Sequence, residues 1–153
     1  METRIVDFEI LTKHYINYQD GVKEINTERE RFVDKMTPLK TEMESIIRTS
    51  NSGVVVDQKT QKTRAERFQQ LQEEAVEIDG EFKNSMKKLR DDLNTKIFEE
   101  LSVIISEWGS NNKIDLITGK MEVVYSNPKF EVTDNILTLL KKKELFIEML
   151  ETV

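Results

Sequence analysis

The sequence predicts a mainly α-helical protein with a small β body, in which a long antiparallel helical hairpin, a coiled-coil arm, projects from a short-stranded oligomerisation domain. Three observations lead to this fold class. Apolar residues recur at heptad spacing through most of the first two thirds of the 153 residues. The composition is 34% charged with 5 Gly and 2 Pro, as in long solvated helices. The last third instead contains alternating apolar residues, which predict strands with one buried face.

A short first strand is predicted at residues 4–8, and Asp7 is placed to cap the helix that follows. Apolar residues then recur in alternating steps of four and three, interrupted only by Arg29, which is the pattern of a coiled-coil seam. The seam residues are Leu11, Tyr15, Tyr18, Val22, Ile25, Phe32, Met36, Leu39, Met43 and Ile46. They predict one helix over residues 9–49, roughly 60 Å long at 1.5 Å per residue, with a kink near Pro38.

The second helix is predicted to begin after the turn-forming cluster at residues 49–53, with Asp57 as its cap. It is expected to run to Trp108 and to stop at Gly109. Its seam consists of Arg64, Phe68, Leu71, Ala75, Ile78, Phe82, Met86, Leu89, Leu93, Ile97, Leu101, Ile104 and Trp108. Its last turns are expected to pack on the strands.

Several features predict that this arm bends. Two consecutive four-residue steps occur in the second seam near Phe82 and again near Ile97, and such steps relax the supercoil. Gly21 and Gly80 are interpreted as weak points, because glycine in a helix interior costs about 1 kcal/mol relative to alanine.

Residues 113–126 are predicted to form a hairpin of two strands. Ile114 and Leu116 alternate with polar residues, and Met121, Val123 and Tyr125 do the same after Gly119-Lys120, a two-residue turn signal. Pro128 ends the second strand. A last helix is then predicted over residues 134–150, with Thr133 as its N-cap.

This region resembles the C-terminal segment of the Skp/OmpH family of outer-membrane-protein chaperones, in which a V-Y-x-N-P-type strand end is followed by an I/V-T-D helix start. The matching residues are Val124, Tyr125, Asn127, Pro128, Val132, Thr133, Asp134 and Ile136. The order of a short strand, two long helices and a strand region also agrees. The resemblance implies a trimer whose three helical hairpins surround a cavity, and an ATP-independent holdase that encloses non-native polypeptides there and prevents their aggregation.

The residues independently predict an obligate oligomer, because three short strands and one helix are too few to bury a core and leave two sheet edges open. The expected β/α oligomerisation body comprises residues 1–8 and 104–153, and the arm residues 9–103, with its tip near residues 50–57. The candidate oligomer core consists of Ile5, Val6, Phe8, Ile114, Leu116, Met121, Val123 and Tyr125.

The tip contains the apolar run Val54-Val55-Val56, and two interpretations of this run stay open: contact with client proteins, or packing over the end of the coiled coil. The following residues are locally basic on an acidic chain, a mixture that suits weak and sequence-tolerant binding of unfolded polypeptide. The candidate client-contact residues are Val54, Val55, Val56, Lys59 and Lys62.

Other function classes are disfavoured. The net charge of −6 and a pI near 5.0 argue against nucleic acid as a partner, and no run approaches the roughly 20 apolar residues that span a bilayer, so no stable membrane insertion is expected. The chain has no Cys and one histidine, His14, without partners for a metal or catalytic site. We expect no enzymatic activity and no cofactor.

The sequence leaves alternatives open for the cellular compartment and for the partner. No basic and apolar signal-peptide pattern follows Met1. The expected location is therefore the periplasm if a signal peptide has been removed, or the cytoplasm, in connection with a phage or virus, if Met1 is the native start. The alternative function is that of a structural or adaptor coiled-coil protein that binds one defined assembly or virion partner.

Overall fold

Two long helices carry most of the chain in the computed structural model, which describes residues 1–152. The elements are β1 (Thr3–Val6), α1 (Phe8–His14), α2 (Ile16–Ser50), α3 (Gln58–Asn111), β2 (Leu116–Gly119) and α4 (Thr133–Glu151), with short 3-10 turns at Lys120–Glu122 and Pro128–Phe130. The predicted class, mainly α with a small sheet, is confirmed.

The sheet differs from the predicted hairpin. β2 pairs with β1 in parallel, with Thr3 opposite Leu116 and Val6 opposite Gly119. On the other side of β1, a bridge joins Ile5 to Glu131. Gly119 has φ of −74° instead of the positive φ that a two-residue turn requires, and the chain enters a 3-10 turn there. Residues 121–126 therefore form no strand within this chain, and the predicted hairpin is wrong.

The predicted first helix is divided at Tyr15. Asp7 caps α1 as predicted, accepting a hydrogen bond from the Ile10 amide at 3.2 Å. Tyr15 then adopts an extended conformation, with φ −85° and ψ 123°, before α2 begins. Its partly buried hydroxyl accepts a hydrogen bond from the Asn17 side chain at 3.1 Å. Burial, together with a hydrogen bond to Glu100, raises the pKa of Tyr15 to about 12.

Specific hydrogen bonds mark both ends of α3. The Asp57 carboxylate accepts a hydrogen bond from the Thr60 amide at 2.8 Å, which confirms the predicted cap. The predicted stop at Gly109 is wrong, because α3 continues to Asn111. The reversal lies at Lys113, whose φ is 56°, and the Ile114 amide donates to the Gly109 carbonyl at 2.9 Å. A Cβ on Gly109 would lie 3.0 Å from Ile117 Cδ1, so this glycine allows β2 to approach α3.

The described residues form two compact units. The first, here the sheet unit, is Met1–Lys23 together with the described residues from Asp91 onward. As predicted, the end of α3 packs with the sheet and α4 in one apolar cluster. The buried members of this cluster are Val6, Leu11, Ile97, Leu101, Ile105, Val132, Ile136 and Leu140.

The second unit, here the hairpin unit, is Glu24–Arg90, in which α2 and α3 pack along a single seam. The most buried residues are seam residues, as the heptad pattern predicts. They are Ile25, Leu39, Leu71 and Met86. Phe32 and Phe82 stack across this seam with ring centroids 4.1 Å apart. Pro38 lies within α2, and the kink expected there stays a prediction.

Gly21 in α2 and Gly80 in α3 differ in their surroundings. A Cβ on Gly21 would overlap the Leu93 side chain, whereas a Cβ on Gly80 would meet nothing within 4 Å. The interpretation of Gly21 as a weak point is therefore wrong, because its missing side chain is what lets α2 approach α3 in the sheet unit.

Thr133 has a different role from the predicted one. α4 begins at Thr133 itself, so this residue is not the N-cap, and Val132 in that position provides no side-chain cap. Thr133 is only 4% exposed, and its hydroxyl instead accepts a hydrogen bond from the Asp7 amide at 2.9 Å and donates to Glu131 at 3.2 Å. It thereby ties the start of α4 to the start of α1.

Candidate functional site

The connection between α2 and α3 is the first candidate surface. α2 ends at Ser50, Gly53 reverses the chain with φ of 76°, and residues 54–56 have no regular structure. Val54 is 70% exposed and Val55 94% exposed, whereas Val56 is half-buried. Two of the three predicted client-contact valines therefore present apolar surface to solvent.

A groove of about 420 Å³ lies next to this connection, within the hairpin unit. Val54 and Val56 form part of its wall, and Val55 does not. The remaining lining residues are Ile46, Ile47, Ser50, Asn51, Gln61, Arg64, Ala65 and Phe68. The groove thus combines an apolar wall with a few polar groups, as binding sites for small ligands commonly do.

The cations around this groove differ in their partners. Arg67 forms two short hydrogen bonds to the Glu42 carboxylate, at 2.7 and 2.8 Å, and they hold the pKa of Glu42 below its usual range. Lys62 lies 3.9 Å from Glu66. Within residues 1–152, Lys59 and Arg64 form no ion pair. Of these cations, only Arg64 lines the groove.

The residues predicted to form the oligomer core differ in their exposure within the chain. Ile5 and Val6 are buried within the chain, and Phe8 is half-buried, its ring centroid 5.3 Å from that of Phe98. Ile114 and Val123 are half-buried. The exposed members are Leu116, Met121 and Tyr125, and their neighbour Val124 is fully exposed. In the described sheet, the second edge of β2 has no partner strand.

The family-motif residues lie in two environments. Val124 and Tyr125 are exposed. Asn127 accepts a hydrogen bond from the Lys129 amide at 3.1 Å and caps the 3-10 turn that begins at Pro128. Val132, Thr133 and Ile136 are buried, and Asp134 is exposed in the first turn of α4. Val132, Thr133 and Ile136 of the motif therefore contribute to the packing of this chain, whereas Val124 and Tyr125 remain exposed to solvent.

Some residues of these surfaces were not singled out from the sequence. Ile47 and Arg64 line the groove, but Ile47 lies outside the heptad seam and Arg64 counted only as a seam position. The tail at residues 145–150, by contrast, is recognisable in the sequence as an apolar segment without an evident partner, and it is exposed at Leu145, Phe146, Ile147, Met149 and Leu150. No helix within residues 1–152 is apolar over a length that would cross a bilayer, and no group of acidic or histidine side chains in that range could hold a metal ion.

Comparisons with known proteins agree on one relationship. The sequence profile of a family described as outer membrane protein (OmpH-like) matches residues 3–140. The chain is similar to the crystal structure of a candidate outer membrane chaperone (OmpH-like) from Caulobacter crescentus, with a TM-score of 0.76 and 12% identity over 93% of this chain and 85% of that chain. A likeness at this identity shows the fold. A search of curated proteins gave no match.

Proposed function

Because the chain belongs to the OmpH-like family, we propose that it is an ATP-independent holdase chaperone, which binds non-native polypeptides between the helical arms of a trimer and prevents their aggregation. The observation that carries this proposal is the exposed apolar surface of Val54 and Val55 beside an open groove. Such a surface binds through several weak contacts, since burying one aliphatic side chain is worth roughly 1.5–3 kcal/mol at most.

The site favours binding over catalysis. Its lining residues provide aliphatic and aromatic side chains, hydroxyl and amide groups and one guanidinium. A nucleophile beside a general base, the usual requirement for covalent catalysis, is not among them. We therefore propose that the protein acts through contact alone.

The proposed trimer uses the free edge of β2 and residues 121–125. Met121 is 87% exposed and Tyr125 82% exposed, which is unusual for large side chains that lie only four residues apart. Pairing with other copies would cover both the edge and these side chains. This surface supports association of several copies, and the number three comes from the family resemblance.

An aggregation assay tests the holdase. We expect the full chain, at a near-stoichiometric ratio of trimer to client, to suppress light scattering by several unrelated unfolded proteins. Suppression for none of them, with tight binding to one folded partner, would instead favour the adaptor function. Replacing Val54 and Val55 with Ser should weaken suppression and leave helicity and particle mass unchanged, because both side chains are exposed.

Multi-angle light scattering tests the oligomer. We expect about three chains per particle at micromolar concentration, and Val124→Asp should dissociate the particle because it places a charge in the proposed interface. Val76→Asp is the matched control, since Val76 is 72% exposed in the hairpin unit. A monomeric mass for the unmodified chain would exclude the trimer.

A further inference from the structure

Arg64 occupies an unusual position in the hairpin unit. It takes a seam position of α3, where most other residues are apolar, and it is half-buried. Its side chain lines the groove with Ile46, Val56 and Phe68. Within residues 1–152 it has no carboxylate partner. The groove therefore offers a cation whose charge is not neutralised by the chain itself.

The guanidinium of Arg64 is suited to binding a carboxylate. A guanidinium presents five N–H donors in a planar fork and binds a carboxylate through two parallel hydrogen bonds. In partly desolvated surroundings such a charge-assisted pair is stronger than at an open surface. Arg67 shows this geometry nearby, with both of its hydrogen bonds to Glu42.

We propose that the groove binds a short extended segment of a client polypeptide in which a large apolar side chain stands next to an Asp or Glu. The apolar side chain enters between Ile46, Val56 and Phe68, and the carboxylate pairs with Arg64. This inference rests on the proposed holdase function and names the class of client segment that the tip selects.

The charge around the groove favours this occupant over a second tip. The Ile46–Phe68 stretch holds five cations, Arg48, Lys59, Lys62, Arg64 and Arg67, against two carboxylates, Asp57 and Glu66, on a chain whose net charge is −6. Even with the Glu42 carboxylate that pairs with Arg67 included, the cations are in excess. One carboxylate, Asp57, is already bonded to the Thr60 amide. Two tips therefore repel each other, and basic client segments are repelled as well.

The size of the groove sets the length of the bound segment. A volume of about 420 Å³ lies at the lower end of the range of roughly 300–1,000 Å³ that small ligands occupy. It accommodates one or two large side chains. A folded domain would instead need an interface of about 1,000 Å² or more.

Fluorescence anisotropy with three amidated peptides tests the proposal on the full chain. The peptides carry Phe-Asp-Phe, Phe-Asn-Phe or Phe-Lys-Phe between Gly-Ser flanks. We expect the Asp peptide to bind about tenfold more tightly than the Asn peptide, which corresponds to about 1.4 kcal/mol. The Lys peptide should bind more weakly still, and added salt should reduce the difference between Asp and Asn.

Two variants separate the groove from the general charge of the tip. Arg64→Gln should abolish the preference for Asp over Asn. Arg48→Gln makes the same substitution near the end of α2, at an exposed residue outside the groove, and should leave most of the preference. Equal losses in both variants, or equal binding of the Asp and Asn peptides to the unmodified chain, would overturn the proposal.

A measurement on the unmodified chain complements the variants. Methyl NMR should show shifts for Val54 and Val56 when the Asp peptide is added, and absence of these shifts would overturn the assigned location. Binding of the Asn peptide only when its C-terminus is a free acid would overturn the assignment to a side-chain carboxylate. Aggregation suppression by the unmodified chain without binding of any of the three peptides would reject the groove and keep the holdase. Preferential binding of the Asp peptide by a chain that suppresses no aggregation would reject the holdase alone.

Discussion

The sheet unit and the hairpin unit contain equally buried residues but are built differently. In the sheet unit, eight buried apolar residues meet in one cluster: seven come from β1, α1, α3 and α4, and the eighth is Val132 just before α4. In the hairpin unit, two helices share a single seam, in which Leu71 is as fully buried as Leu101 in the sheet unit. The first arrangement encloses a residue on several sides, whereas the second covers it from one neighbouring helix. Burial alone therefore does not show how rigidly a residue is held.

The largest expected effect on stability comes from replacing a fully buried leucine with alanine in each unit. Leu101→Ala should lower the free energy of unfolding by about 4 kcal/mol, and Leu71→Ala by about 2 kcal/mol, because a two-helix seam collapses around a cavity more easily than a four-element cluster. Urea denaturation followed by circular dichroism measures both. Equal losses would show that the seam is as constrained as the cluster.

Replacing Gly21 or Gly80 with alanine should change the stability of the protein in opposite directions. Gly21→Ala should destabilise the protein by about 1–3 kcal/mol, because the added methyl overlaps Leu93. Gly80→Ala should stabilise it by about 1 kcal/mol, since the methyl meets open space and alanine favours the helix. Thermal unfolding of both variants, and of Gly21→Ala combined with Leu93→Ala, measures this. Leu93→Ala alone is the reference for the double variant, and if Gly21→Ala costs as much in that background as in the unmodified chain, Leu93 is not the obstacle.

A smaller effect is expected from the hydrogen bond that joins the ends of the sheet unit. Thr133→Val keeps the shape of the side chain but leaves the Asp7 amide without its acceptor, which should cost about 1–2 kcal/mol. Thr138→Val, at an exposed position of the same helix, is the control and should change stability by less than about 0.5 kcal/mol. Equal effects would contradict the importance of this bond. Chemical denaturation measures both.

The smallest effect is expected from the exposed ion pair of the hairpin unit. Arg67 holds the pKa of Glu42 below its usual range, so its contribution to stability is present at neutral pH and is lost as the pH falls below about 4. Glu42→Gln should therefore lower the melting temperature slightly at pH 7, and the difference from the unmodified chain should vanish in strong acid. A difference that grows in acid would contradict this assignment.

The heptad seams, the tip turn and the cap at Asp57 were predictable because they depend on residues close together in the sequence. The parallel pairing of β2 with β1 was not predictable, since the partner of Leu116 is Thr3, and no local pattern indicates a pairing over that distance. The role of Thr133 was hidden for the same reason. The apolar tip was visible in the sequence, but the groove is lined by residues of both long helices, such as Ile47 and Arg64, and their proximity is not evident from the sequence.

The sequence separation of hydrogen-bond partners determines the order in which the two units can fold during synthesis. The Glu2 amide bonds to Asp115, and the Asp7 amide to Thr133, 126 residues later. In the hairpin unit, Arg67 reaches a carboxylate only 25 residues earlier. A ribosome that adds roughly 5–20 residues per second therefore releases a complete hairpin unit first, while the N-terminal strand waits several seconds for its partners. The N-terminal strand therefore becomes hydrogen-bonded only after the hairpin unit that follows it in the sequence has folded.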